Sequence, residues 1–267
     1  MVGRPGPGWW IVLALPFLLG ASPVAVPAAA ETAPLSLRYV VYARGFPVLS
    51  LDFRVDESAV AYEVTGTVRA QGVLGAVSDF TLDTMSRGTV TAEKLQPSMH
   101  DNASHARRKE RRAHLDFHRD GSVMAALTPA DDPDHRLPTA AQVVGSVDPL
   151  TAILTIGHVV AQSGSCRAKV AVYDGRRRYD LVLTDDRAER PRRPDHEKSA
   201  QLRRCALDLV KLAGFTSDRD RPPRIEHGKV WIMPPLRPGL PPLPARIEFH
   251  SDWGPITVEV APTGVAK

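Results

Sequence analysis

Apolar and polar residues alternate along the first third of the chain. Leu49, Leu51, Phe53 and Val55 are separated by Ser50, Asp52 and Arg54. That is the period of two expected of a strand with one buried and one wet face. The run from Val60 to Ala70 continues the style, with Tyr62, Val64, Val68 and Ala70 on one side, and Phe80 and Leu82 repeat it. The turn formers Gly45-Phe46-Pro47 and Asp56-Glu57-Ser58 divide the runs. The pattern predicts a meander of antiparallel strands, not an alternating β-α series.

Two Asp-Gly pairs, Asp120-Gly121 and Asp174-Gly175, mark tight hairpins. The first joins Leu115–His118 to Val123–Leu127; the second joins Lys169–Tyr173 to Arg176–Leu183. The helical period shows most clearly after Asp148. Asp is a strong N-cap and Pro149 suits the first helical position. Leu150, Ile153, Leu154 and Gly157 follow on one face, Val160 and Ala161 extend it, and Gly164 is a stop. Gln201–Leu212 fits a helix through Leu202, Cys205, Leu209 and Leu212, and a strand through Cys205, Leu207 and Leu209. Pro129–Pro138 and Asp185–Ser199 read as loops, the latter long enough to predict a mobile excursion. Pro234–Pro244 is proline-rich and extended, and leads into a last hairpin, Arg246–His250 with Ile256–Val260.

The N-terminus changes the expected surroundings. Arg4 precedes an apolar run from Trp9 to Leu19, and Ala28-Ala29-Ala30 stands before Glu31. This is the order of a cleaved secretory signal over Met1–Ala30, with a run too short to span a bilayer comfortably. Removing 30 of 267 residues leaves 237, enough for one β-rich domain over residues 31–267. No twin-arginine pair precedes the run, so the export expected is of the general secretory type, to the periplasm. No later stretch predicts a membrane span.

Cys166 and Cys205 are the only cysteines. In an oxidising compartment, two cysteines without a Cys-x-x-Cys spacing predict one structural bridge. The net charge of +4, with 34 bases against 30 acids, is far below that of a dedicated nucleic-acid binder.

The order of these features is specific: export signal, strand meander, Asp-Pro-Leu helix, Cys166, the segment Tyr173-Asp174-Gly175-Arg176-Arg177-Arg178-Tyr179, a second cysteine, Ala213-Gly214-Phe215 and a proline-led terminal hairpin. It resembles the bacterial envelope family known as domain of unknown function 3108, over nearly all of the mature chain. The resemblance implies a periplasmic, mostly β protein without an assigned activity. In plan the chain is also similar to the lipoprotein-carrier fold, a single domain of curved antiparallel sheet, an open or incomplete barrel, with one packed helix over its hollow. That likeness of architecture licenses no function.

Candidate chemistry is sparse. His114, Asp116 and His118 alternate with Leu115 and Phe117 and would share a strand face, a weak metal-site pattern to which His100 and His105 can add ligands. The plain alternative is a solvated outer face, and no metal or cofactor is expected. Arg107-Arg108-Lys109 with Arg111-Arg112 is the densest charge run. It can attract anionic head groups, or simply guard a strand edge from aggregation. No Gly-x-Ser-x-Gly or His-Glu-x-x-His marks a hydrolase. The expectation is therefore a non-enzymatic protein that holds an apolar or amphiphilic envelope molecule, such as a lipid, in the hollow of its sheet, because a curved sheet must fill its concave side. Leu51, Phe53, Tyr62, Phe80, Leu82 and Ile153 are the expected lining, with core packing that leaves no cavity as the equal alternative for all six. The alternatives are a scaffold docking on an envelope protein by its basic edge and, behind it, a hydrolase.

Overall fold

Strand register explains the architecture. A computed structural model describes residues 33–107, 109–130, 137–186, 202–215, 225–251 and 254–261. The expected signal, Met1–Ala30, residues 131–136 of the first loop and most of Asp185–Ser199 lie outside them. The strands fall in one compact unit, Ala33–Lys267. They are β1 (Leu35–Ala43), β2 (Phe46–Glu57), β3 (Ala61–Ala70), β4 (Thr81–Val90), β5 (Leu95–Ala106), β6 (Lys109–Phe117), β7 (Val123–Thr128), β8 (Ala168–Tyr173), β9 (Arg178–Asp185), β10 (Arg203–Ala213), β11 (Ile225–Met233), β12 (Leu243–Ser251) and β13 (Gly254–Val260).

All 13 form one antiparallel sheet in the order β7-β6-β5-β4-β3-β2-β1-β13-β12-β11-β10-β9-β8. Each sequential neighbour pairs except β7 with β8, and β1 pairs β13 to join the two halves, with Tyr39 opposite Val260 and Ala43 opposite Ile256. Among the described residues β7 and β8 do not pair, so the sheet is curved but not closed into a barrel. The sheet ends are nevertheless linked. Val147 bridges Val172 of β8, and Gly145 N–H donates to the Gly121 carbonyl beside β7.

Three helices accompany the sheet among the described residues: α1 (Gly72–Val77), α2 (Ala140–Val143) and α3 (Pro149–Ser163). The apolar periodicity foretold only α3. α1 is six residues with no buried side chain, and α2 has four; neither is long enough to leave a helical period. α3 begins at Asp148, carries Pro149 at its start and ends on Gly164 at φ 63°. It packs on β8, β12, β5, β4 and β3. Leu150 and Leu154 join Phe53, Val55, Tyr62, Val64 and Leu243 in one core cluster. Ala152, Ile156 and Val160 join Val170, Val172, Leu183 and Val230 in a second. The helix thus sits in the bend of the sheet and serves both halves.

Gly157 permits this seat. A Cβ there would overlap the Pro242 carbonyl and meet Pro241 at 3.1 Å. The proline-rich segment is therefore laid directly on the helix backbone. Gly157→Ala forces the two apart, and chemical denaturation is expected to report a loss of about 2–3 kcal/mol.

Of Gln201–Leu212, the residues from Arg203 onward belong to strand β10, paired on both sides. Leu207 stands opposite Leu183 and Gly228, and Leu209 opposite Leu181 and Glu226. The alternation of Cys205, Leu207 and Leu209 prevails because two neighbours supply ladder bonds. The hairpin at Asp120-Gly121 is wider than a two-residue turn: His118 N–H donates to Ser122 O, with Gly121 at φ 84°. In the other, Asp174 N–H donates to Arg177 O, so Gly175 and Arg176 form the tip. Cys166 and Cys205 are joined as a disulfide across 39 residues.

Candidate functional site

The most concentrated polar chemistry lies inside, at the start of α3. Asp148 is fully buried. Its Oδ1 accepts from the backbone N–H groups of Leu150 and Thr151, each at 2.9 Å, and from Ser86 Oγ at 2.5 Å. Its Oδ2 accepts from Thr151 Oγ1 at 2.5 Å. Because the Ser86 hydroxyl gives its only proton to Asp148, His100 Nδ1–H donates to Ser86 Oγ, at 2.8 Å. His100 Nε2 then faces Asn102 Nδ2 at 3.4 Å. On the other side Tyr62 OH meets Thr151 Oγ1 at 2.7 Å and donates, since Thr151 donates onward to Asp148.

Serine, histidine and aspartate are therefore together, but in the wrong order for nucleophilic catalysis. The serine proton points to the carboxylate, and all three side chains are at most 1% exposed, so no substrate reaches the hydroxyl. The cluster is an anchor. It ties the positive end of α3 to β3, β4 and β5 through a buried carboxylate, where the helix dipole favours negative charge. Burial alone would raise the Asp148 carboxyl; the His100 imidazole, 3.4 Å away, and the hydrogen bonds from Ser86 and Thr151 outweigh it and hold the group below the ordinary carboxylate value. Farther along α3, His158 Nε2 lies 2.7 Å from Glu57 Oε1 and fastens the helix to β2.

The expected lining residues occupy different depths. Phe53 and Tyr62 are core, at 2% and 3% exposure. Leu51 and Ile153 are partly buried against that core, and Phe80 and Leu82 are partly exposed. The inner face can be followed by register through Tyr39, Leu51, Val68 and Leu82 on one half. On the other it runs through Ile256, Phe249, Gly228, Leu207 and Leu183. Below these rows α3 fills the bend. Within these rows Leu51, Val68, Leu82, Leu207, Phe249 and Ile256 stay only partly buried, as do Leu49 and Leu209 above them, although alternation points them inward. One end of the hollow is thus apolar and partly uncovered. Lys211 and Glu226, an inward-facing ion pair, stand there with Lys211 Nζ 5.3 Å from the Phe215 ring centre.

A second concavity, of about 640 Å³, crosses β3–β7 and is lined by Thr65, Met85, Asp101, Arg112 and His114. No helix residue and no residue of the Asp174–Arg177 tip lines it, so it belongs to the face turned away from α3. It is an open groove whose polar side chains already have partners: Thr67 donates to Asp83, His114 Nδ1 lies 2.6 Å from Asp101, and His114 Nε2 lies 3.3 Å from Asp116 beside the groove. The hydrogen bond to Asp101, helped by Asp116, raises the His114 imidazole above its ordinary value. The two carboxylates bracket the ring on opposite nitrogens and do not converge on one point. His118 lies past the end of β6. Among the described residues no group of three or more His, Cys, Asp or Glu is disposed to hold a metal ion.

Of the basic run, Arg107, Lys109, Arg111 and Arg112 are exposed around the β5–β6 turn; Arg108 lies outside the described residues. Sequence reasoning missed the Ser86–His100–Asp148 anchor. Its only signal was the strong N-cap at Asp148, because register alone brings the other two alongside.

Among the described residues no helix is long and apolar enough to cross a membrane. No curated protein matches the chain. A solved beta-barrel-like protein of domain of unknown function DUF1849, from Brucella abortus, is similar at 12% identity with a TM-score of 0.46. The match covers 87% of this chain and 98% of that one. The model of the family described as protein of unknown function, DUF3108, matches residues 38–261, and the chain belongs to that family.

Proposed function

We propose that this is an exported periplasmic protein without catalytic activity, cleaved after Ala30, that holds an apolar or amphiphilic envelope molecule at the open end of its hollow. One observation carries the reading: leucine, valine, isoleucine and phenylalanine side chains aimed into the bend stay partly exposed where α3 does not reach. Contiguous uncovered apolar surface of this kind is the mark of a binding site. The Lys211–Glu226 pair beside it offers a polar contact for a head group. The disulfide suits an oxidising compartment. A hydrolase finds no support in the buried serine anchor.

A fluorescent apolar probe such as N-phenyl-1-naphthylamine tests this. The protein is expected to bind it and to release it to a long-chain fatty acid. Leu82→Asp, which sets a charge on the partly exposed inner face, is expected to weaken probe binding by at least ~10-fold. An absence of probe binding, or equal binding by the variant, would contradict the reading. A scaffold role rests on the exposed cations of the β5–β6 turn; its expected signature is salt-sensitive capture of an envelope protein that Lys109→Glu abolishes.

A further inference from the structure

An up-and-down meander puts alternate turns at the same end of the sheet. The strand ends that flank the β1–β2, β3–β4, β5–β6, β8–β9, β10–β11 and β12–β13 connections share the end at which the hollow opens. Hydrogen bonds show that the first three are contiguous. Gln71 N–H donates to Val48 O at 2.9 Å, tying the α1 segment to the β1–β2 turn. Asp79 Oδ1 accepts from Arg107 N–H at 2.8 Å, and Asp79 Oδ2 lies 3.2 Å from His105 Nε2, tying α1 to the β5–β6 turn.

This end gathers two kinds of residue. Phe46, Val73 and Val77 are 67%, 75% and 65% exposed on adjoining turns. α1 carries no charge at all. Beside them stand Arg107, Lys109, Arg111 and Arg112, and across the mouth Arg177. Among the described residues the acids on those turns are Asp79, Glu110 and the largely covered Asp174; Glu226, at the same end, is paired with Lys211, and Asp83 stands one strand pair from Arg112 in the register. Large exposed apolar side chains next to a cationic cluster complement one surface above others: anionic head groups over an apolar interior.

We infer that this turn end is a docking surface for an anionic phospholipid bilayer. Phe46, Val73 and Val77 enter the head-group region, and the cations of the β5–β6 turn meet the phosphates. Docked so, the open end of the hollow faces the membrane. That orientation rests on the reading above, whereas the docking itself does not.

Co-sedimentation with vesicles tests it. The purified protein is expected to partition onto phosphatidylethanolamine–phosphatidylglycerol vesicles, weakly onto phosphatidylcholine vesicles, and less as salt rises to about 0.5 M. Lys109→Glu with Arg112→Glu is expected to lower partitioning at least ~10-fold, and Phe46→Ser with Val77→Ser to lower it to a similar extent. All four positions are exposed, and an unchanged circular dichroism spectrum shows that the fold survives. No partitioning onto the anionic vesicles, or partitioning that neither pair of changes weakens, overturns the inference. The probe assay separates the two readings. Probe binding without vesicle binding sinks the docking alone; vesicle binding without probe binding sinks the occupied hollow alone.

Discussion

Asp148→Ala is expected to cost the protein about 4 kcal/mol of stability, the range found when one member of a buried charged network is removed. The side chain accepts four hydrogen bonds, two from the first turn of α3 and two from Ser86 and Thr151. Truncation removes the helix cap, worth ~1 kcal/mol alone, and leaves buried hydroxyls without their acceptor. The effect carries a pH signature. The folded carboxyl titrates below the ordinary value. Its contribution is therefore complete above the unfolded carboxylate value of about 3.9 and fades as pH falls through the folded value. Urea denaturation from neutral to strongly acidic pH is expected to show wild-type protein losing this increment in acid, while Asp148→Asn is weaker at neutral pH and lacks that part of the acid dependence. Equal stability of wild type and Asp148→Ala at neutral pH would remove the anchor from the account.

The second large effect is the disulfide. Opening a bridge that spans 39 residues releases about 4 kcal/mol of loop-closure free energy on the chain-entropy model. Replacing both cysteines by alanine avoids stranding a thiol, since Cys166 and Cys205 are both buried. The expected outcome is a Tm lower by roughly 10 °C in scanning calorimetry, with wild type in strong reductant falling to a similar value. The bridge pins the β8 lead-in to β10 beneath the second core cluster, so the β8–β10 corner is expected to lose hydrogen-exchange protection first. An unchanged Tm for the double variant would show that the bridge does not hold the corner.

Much of the fold was legible because local and global signals agree. Asp148, Pro149 and Gly164 mark the limits of α3 by residue type alone, and the observed helix keeps those limits. The β2 and β3 alternation survives into the register, with Phe53 opposite Gly66 and Val55 opposite Val64. The β10 segment was undecidable locally because its leucines satisfy both periods; only pairing to β9 and β11 settles it. α1 escaped notice because Gly72–Val77 has neither a polar face nor a cap side chain. The anchor was invisible for another reason. Ser86, His100 and Asp148 are 14 and 48 residues apart in sequence, and strand register brings them together. The apolar and cationic mouth was implicit in the meander, since turn parity assigns Phe46, Val77 and Arg107 to one end. What the chain could not reveal was how far α3 fills the bend, because that depends on Gly157 meeting Pro242.

Native mass spectrometry of the protein purified from the cell envelope tests the central claim most directly. The predicted spectrum shows a chain whose mass begins at Glu31, carrying one amphiphile that dissociates on activation, and shows the ligand diminished in Leu82→Asp. A bare chain in every preparation, or one retaining residues 1–30 and reduced cysteines, would contradict the account.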